Sequence, residues 1–286
     1  MTKDRLDHDR LFKELIETFF EEFILLFFQD VYEHLDFSEV RFLSEELFTD
    51  VTEGDKFRLD LVVEVKLKGE PGLIIVHVEP QSYEQEAFNE RMFIYFSRLY
   101  QKYRRKILPI AIFSYNHQRD EPNTFQINFP FFQPLDFHYL TVELKKQPWR
   151  RYIISDNPVA AALLSKMGYN NSEKVEVKKE FFRMLLRLQL DKARETMIAG
   201  FFETYLKLNE QEERQFQEEV KAMSPKEGDK IMEIMTSYER KGMEKGMEKG
   251  ISAVAKKLLS KGMPVEEIIE VTGLSKEQVE QLKEEI

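Results

Sequence analysis

In Phe57-Arg-Leu-Asp-Leu-Val-Val-Glu-Val-Lys-Leu67 every odd-numbered position is apolar. That period of two predicts a strand with one buried face. Lys68-Gly69-Glu70-Pro71 carries turn chemistry. Gly72-Leu-Ile-Ile-Val-His-Val-Glu79 is β-branched and almost wholly apolar, as expected of a strand in the middle of a sheet. With 68–71 as the loop of an antiparallel hairpin, Leu67 faces Gly72 and Asp60 faces Glu79. Residues so paired point to one face, with Cβ atoms roughly 5 Å apart. His77 and Gln81 share the face of Glu79, because side chains alternate along a strand. Two opposed carboxylates repel each other. A divalent cation between them reverses the sign, since Mg²⁺ is commonly held by one or two carboxylates. Such an ion polarises a phosphoryl oxygen and lowers the pKa of a bound water. Strand ends also carry carboxylates for solubility alone, so this reading stands beside a blander one. Glu64 and Lys66, on the polar face of the first strand, are expected to form an exposed ion pair.

The neighbouring segments extend the pattern. Residues 9–30 predict a helix, with Leu11, Leu15, Phe19, Phe23, Leu26 and Phe27 at helical spacing. A second helix is expected over about 86–105, with a stripe of Phe88, Met92, Tyr95, Phe96, Leu99 and Tyr103. Leu108 to Tyr115 is a third buried strand, and 124–129 and 136–144 read as further strands. From Trp149 onward the periodicity is helical: Pro158 to Met167, Val175 to Leu190, Asp191 to Leu208 and a charged stretch over 209–238. The repeat Lys241-Gly-Met-Glu-Lys-Gly-Met-Glu-Lys-Gly250 predicts a frayed linker, because each glycine costs a helix about 1 kcal/mol relative to alanine. Beyond it, Gly262, Pro264 and Gly273 punctuate a helix-turn-helix pattern, and Ser275 with Gln278 forms a capping box. The expected organisation is an α/β core over 1–150, a helical region over 151–240, and a linker with a small helical tail over 241–286.

Composition narrows the chemistry. The 286 residues include no cysteine, which excludes disulfides, thiolate-held zinc, iron–sulfur clusters and thiol nucleophiles. The five histidines lack ligand spacing. No run is long and apolar enough to span a membrane, and the charged start is unlike a secretory signal, so a cytoplasmic location is expected. The net charge of −10 weighs mildly against nucleic-acid binding, although a local basic patch can decide the matter. Arg91, Arg98 and the group Lys102, Arg104, Arg105 and Lys106 lie on or just after the helix following the hairpin, and are candidates for phosphate contact or for a merely solvated surface. Lys145, Lys146, Arg150 and Arg151, interleaved with Trp149 and Tyr152, form a second basic cluster.

His8-Asp9-x-x-Phe12-Lys13, Leu59-Asp60-Leu61, Val76-His77-Val78-Glu79-Pro80-Gln81-Ser82, Arg91 and Tyr95, in this order, resemble the Rpn family. Its members are recombination-promoting nucleases, also labelled transposases, of the PD-(D/E)xK superfamily. The resemblance covers roughly residues 5–150. It implies a restriction-endonuclease-like mixed sheet flanked by helices, followed here by an all-α C-terminal region. It implies Asp60 as principal metal ligand, Glu79 as the second acid, the Pro80 carbonyl completing the metal shell, and Asp9 (or Glu14) adding a carboxylate. Gln81 stands where the superfamily has lysine. Glutamine can orient a water but brings no charge, which leaves the proton acceptor open. Arg91 matches the family and is the favoured phosphate contact.

The expected function is a Mg²⁺- or Mn²⁺-dependent endonuclease that hydrolyses DNA phosphodiester bonds with low sequence specificity. The alternatives are an RNA-directed nuclease and a catalytically weak or inactive scaffold. The third tail helix sets Lys276 and Lys283 against Glu277, Glu280, Glu284 and Glu285, too acidic for a recognition helix. The C-terminal helices are therefore expected to serve protein interaction or homo-oligomer formation rather than DNA reading.

Overall fold

The structure, a computed structural model, describes residues 3–43, 61–67, 70–79, 88–115 and 120–284. The chain forms two compact units, Met1–Val220 and Lys221–Ile286.

The first unit opens with α1 (Lys3–Thr18), α2 (Phe20–Phe27) and the single turn α3 (Gln29–Tyr32). The expected single helix bends twice, at Phe19 (φ −130°, ψ 45°) and Phe28 (φ −137°, ψ 59°). Hydrogen bonding runs on through the first bend, from Phe19 N to Leu15 O and from Phe23 N to Phe19 O. The bend lets Phe12, Leu15, Ile16, Phe19, Phe20, Phe23 and Ile24 all be buried.

A five-stranded sheet follows, in the order β1-β2-β3-β4-β7. Its strands are β1 (Leu35–Leu43), β2 (Leu61–Leu67), β3 (Glu70–Glu79), β4 (Lys106–Phe113) and β7 (Leu140–Glu143). β1, β2 and β3 pair antiparallel, while β3/β4 and β4/β7 pair parallel. The helix α4 (Phe88–Tyr103) provides the crossover that a parallel β3/β4 pair needs. β5 (Thr124–Phe129) and β6 (Phe132–His138) form a separate two-stranded sheet.

The hairpin register differs from the expected one by two residues. Leu67 pairs with Glu70 rather than Gly72, and the described ladder ends at Leu61↔Val76. Pro71 lies inside the ladder, opposite Lys66. Pairing with β4 begins only at Gly72, so at Pro71 the strand has one open side toward which its missing N–H can point. Two residues therefore separate the paired positions Leu67 and Glu70, where four were expected. β1 escaped the sequence reading: it is an edge strand carrying Asp36, Glu39 and Arg41, with an irregularity between Asp36 and Arg41.

Helices close the unit: α5 (Pro158–Leu163), α6 (Lys174–Leu188), α7 (Lys192–Tyr205) and α8 (Glu210–Lys221). Every residue of α5 is buried, and its three alanines permit close packing. Asn157 caps it, accepting from Val159 N (2.9 Å) and Ala160 N (3.1 Å) while donating to Glu22 O (2.8 Å). Such contacts tie the helical region to the N-terminus, and no division falls at 150.

In the second unit α9 (Pro225–Ser260) runs unbroken through the Lys-Gly-Met-Glu repeat, where a frayed linker was expected. Each repeat also supplies Met, Glu and Lys, which are good helix formers. α10 (Val265–Thr272) and α11 (Lys276–Glu284) fold back on it around Ala255, Ile268 and Val279, all fully buried. The expected capping box forms, Ser275 N to Gln278 Oε1 at 2.8 Å and Gln278 N to Ser275 Oγ at 3.3 Å.

Two glycines give opposite expectations. A Cβ on Gly168 would sit 2.5 Å from the Lys145 carbonyl oxygen, whereas one on Gly250 would meet nothing within 4 Å. Gly168→Ala should destabilise the protein by about 1–3 kcal/mol, and Gly250→Ala should stabilise α9 by about 0.4–1 kcal/mol. Chemical denaturation followed by circular dichroism measures both.

Candidate active site

Asp60, Pro80 and Gln81 lie outside the described residues, and Asp9 and Glu79 are placed here by their backbones alone. Glu79 is the last residue of β3 and pairs with Phe113, the last residue of β4. Phe113 and Ala111 pack with Phe88 and Met92 of α4, so position 79 has the strand parity of the sheet face that α4 covers. The two-residue slip preserves parity, so a face shared by Asp60 and Glu79 does not depend on the exact register. Direct opposition of the two does depend on it, and the described ladder is two residues out of that register.

Ser114, which follows the register partner of Glu79, is fully buried. Its Oγ lies 3.0 Å from His8 Nε2 on α1, and the other ring nitrogen of His8 lies 2.7 Å from the Tyr205 hydroxyl on α7. A residue from the first turns of α1 is thereby fixed at the sheet end where β3 and β4 finish. Burial, and then the charge of Lys166, push the His8 pKa down to about 3. The imidazole is therefore neutral at pH 7 and suited to one donating and one accepting hydrogen bond with its two hydroxyl neighbours.

Lys166 completes the cluster. It is 4% exposed, its Nζ sits 4.9 Å from the centre of the Tyr205 ring, and that amine has no hydrogen-bond partner among the described residues. Burial, and then the charge of Lys145, lower its pKa to about 7. Lys178 shows the usual arrangement: it is equally buried but meets Glu203 at 3.2 Å and Glu213 at 3.3 Å. Ser114, Tyr205 and Lys166 were not singled out in the sequence. The available signal was one lysine inside the apolar run Pro158-Val-Ala-Ala-Ala-Leu-Leu-Ser-Lys-Met167.

The arginines separate. Arg91 stands on the first turn of α4 with its guanidinium nitrogens buried and its Cζ 5.5 Å from the Phe88 ring centre, so it is no surface solubiliser. Arg98 is half-buried farther along α4. Arg104 and Arg105 precede β4, at the end of the sheet opposite Glu79 and roughly 20 Å away at strand rise. Arg105 is paired with Glu64, and Lys66 with Glu39 of β1 at 2.6 Å, so the expected Glu64–Lys66 pair is replaced by two others. An apolar cavity of about 390 Å³, lined by Val31, Leu35, Leu67, Ile107 and Leu108 with His34 and Lys106 beside them, lies at that same far end.

Most of the second basic cluster is engaged within the fold, while Arg151 is exposed. Lys146 meets Asp120 (2.6 Å) and Glu143 (2.5 Å), Arg150 meets Glu173 and Glu176, and Trp149 is buried core. Lys145 is drawn over the Tyr169 ring at 4.7 Å, and burial lowers its pKa. Among the described residues no three His, Asp or Glu side chains gather into a metal site. Nor, among them, is any helix long and apolar enough to cross a membrane. No family model matches the chain, and no curated protein or solved structure matches it significantly.

The Lys166 amine titrates at its ordinary value near 10.5 in the unfolded chain and at about 7 in the folded one. Between those values the unfolded chain holds the extra proton, so stability rises with pH across this window. Lys166→Met should therefore gain about 1–3 kcal/mol at pH 7, with the advantage shrinking toward pH 10. Thermal unfolding at both pH values tests this, and equal stability of the two proteins at pH 7 would contradict an uncompensated amine.

Proposed function

We propose that the chain is a divalent-metal-dependent endonuclease with a restriction-endonuclease-like core and its site on Asp60, Glu79 and Gln81. The observation that carries this reading is the His8–Ser114 hydrogen bond. It brings the start of the His8-Asp9-x-x-Phe12-Lys13 motif to the end of the sheet where β3 and β4 finish, about seventy residues from Glu79 in sequence, with Ser114 on the side of the sheet opposite to the one whose parity Phe113 and Glu79 share. The antiparallel β2/β3 hairpin, the α4 crossover and the parallel β4 are compatible with the proposed core.

The proposed donors are carboxylates and a backbone carbonyl, hard oxygen ligands that suit Mg²⁺ or Mn²⁺. Asp60 and Glu79 would hold the ion, with the Pro80 carbonyl and Asp9 as further donors. Bound there, the cation supplies positive charge to a phosphoryl oxygen and to the attacking water. Gln81 orients that water by hydrogen bonding, and Arg91, on the first turn of the helix after the hairpin, contacts phosphate. DNA is the proposed substrate, with low sequence specificity because the reading rests on backbone contacts alone.

A second reading has its own support. Arg105, Lys146 and Arg150 are held in ion pairs within a chain of net charge −10, which leaves a thin basic surface for a phosphate backbone. On this reading the fold acts as a non-catalytic scaffold.

Supercoiled plasmid incubated with Mg²⁺, Mn²⁺ or EDTA separates the two readings. Wild type should nick it only with metal, and Asp60→Ala and Glu79→Ala should lose at least about a hundredfold in rate, as removal of a metal ligand does. Their circular dichroism should match wild type. An Asp60→Ala protein that nicks at the wild-type rate would falsify the site, and no cleavage of DNA or RNA in any metal would favour the scaffold.

A further inference from the structure

The β5–β6 hairpin breaks the rule that large apolar side chains are covered. Near its base Phe125 stacks on Phe93 of α4 at 5.4 Å, and Phe137 is buried. Toward its tip, cover is lost: Ile127 is 42% exposed, Phe129 55%, Phe132 62% and Phe131 87%. Phe129 and Phe131 stack only on each other, at 6.0 Å. From Pro122 to Leu135 there is no charged residue, in a chain that is 33% charged.

Beyond Thr124, whose carbonyl accepts from Asn89 Nδ2 at 2.8 Å, the strand edge is open among the described residues. Among the described residues β5 pairs only with β6. Edge strands are ordinarily guarded by charges, prolines or bulges. β1 has Asp36, Glu39, Arg41 and an irregular register, and β6 has Pro134 and Asp136. Thr124-Phe-Gln-Ile-Asn-Phe129 has neither a proline nor a charge, and the irregularity in its pairing with β6, between Ile127 and Phe129, places the extra residue on β6.

The order of residues in β5 selects the occupant. Phe125-Gln126-Ile127-Asn128-Phe129 reads aromatic, amide, isoleucine, amide, aromatic from either end. An antiparallel partner strand of the same sequence, centred on Ile127, sets Phe125 against Phe129, Gln126 against Asn128 and Ile127 against itself. Apolar residues then meet apolar ones on one face and amides meet amides on the other. Two-fold pairing of one patch with itself is the usual way in which identical chains associate. A nucleic acid would require cations, and 122–135 has none. A membrane would leave the outward backbone groups of β5 unsatisfied, and no basic residue in 122–135 engages a headgroup.

We propose that β5 is a self-association edge, along which two copies of the chain pair antiparallel about Ile127 to make a continuous four-stranded sheet, with the exposed phenylalanines closing over the join. This contact is separate from the C-terminal helices and does not depend on the nuclease reading. One strand pair and a few aromatics cover less than a standard interface, so the dissociation constant is expected on the order of micromolar.

Sedimentation of the full chain across a concentration series should show a monomer–dimer equilibrium. Ile127→Lys should weaken it at least about tenfold with an unchanged thermal midpoint. The chain has no cysteine, so Ile127→Cys introduces its sole thiol. Mild oxidation should convert that variant to a disulfide-linked dimer, while Val254→Cys, exposed in the second unit, should stay monomeric on a denaturing gel. A wild type that is monomeric at every concentration overturns the proposal. So does a dimer untouched by Ile127→Lys, which puts the contact on another surface, or phosphatidylcholine vesicle binding that Phe131→Ser abolishes in a chain that never dimerises.

Discussion

Much of the first unit is organised by one buried imidazole. His8 belongs to the first helix, Ser114 to the end of a central strand and Tyr205 to a helix almost two hundred residues away, and the ring of His8 joins all three. Phe12, one turn on, meets Phe201 at 5.0 Å and Tyr205 at 6.0 Å, so aromatic packing continues the same junction. A charged imidazole could not accept from either hydroxyl, and burial holds the ring neutral. Desolvation elsewhere weakens a site; here it fixes the protonation state that allows helix, sheet and helical region to share one polar contact.

Charge is handled by a different principle. Three of the basic residues that stand out in the sequence are neutralised from within, Arg105 by Glu64, Lys146 by Asp120 and Glu143, and Arg150 by Glu173 and Glu176, and the buried Lys178 likewise meets Glu203 and Glu213. Several of these pairs are exposed and contribute little to stability individually. Their larger effect is to remove positive potential from surfaces where a string of Lys and Arg suggested it. A count of basic residues along a chain is a poor guide to an electrostatic footprint when carboxylates from distant segments fold onto them.

The sequence disclosed what depends on local period and local caps. The two apolar strands around residue 70, the helices after Trp149 and the Ser275–Gln278 box are all set by neighbours within a few residues. What it concealed depends on distant partners. Pro71 resembles a turn residue until the late start of pairing with β4 gives its missing N–H an open side. β1 has no regular period of its own to announce it, because its register with β2 shifts between Asp36 and Arg41. A boundary at 150 looks natural by composition, yet Asn157 reaches Glu22 and Phe201 reaches Phe12. The glycines of the Lys-Gly-Met-Glu repeat weaken a helix without ending it, since the residues between them favour one. Of the proposed site, the backbone position of Glu79 at a strand end was legible. The buried polar cluster that reaches that strand end was not, because its members come from four separate segments.

Local rules are broken at two places, and the breaks are of opposite kinds. At the His8–Tyr205 junction a lysine amine is buried without a hydrogen-bond partner among the described residues, although Lys178 shows that the fold can provide carboxylates to a buried amine. At the β5–β6 tip, phenylalanines are left in water, although the chain buries Phe12, Phe19, Phe23, Phe181, Phe201, Phe202 and Phe216 almost completely. Each costs stability in the isolated chain, the first by desolvation and the second by exposed apolar area. A sequence that is consistent elsewhere concentrates such costs where something other than stability is served. The two kinds also differ in remedy. An added surface relieves exposed phenylalanines, so that break belongs to association. An added surface leaves a buried amine where it is, so Lys166 answers only to what stands inside the fold, at the junction that joins α1 to the end of β4.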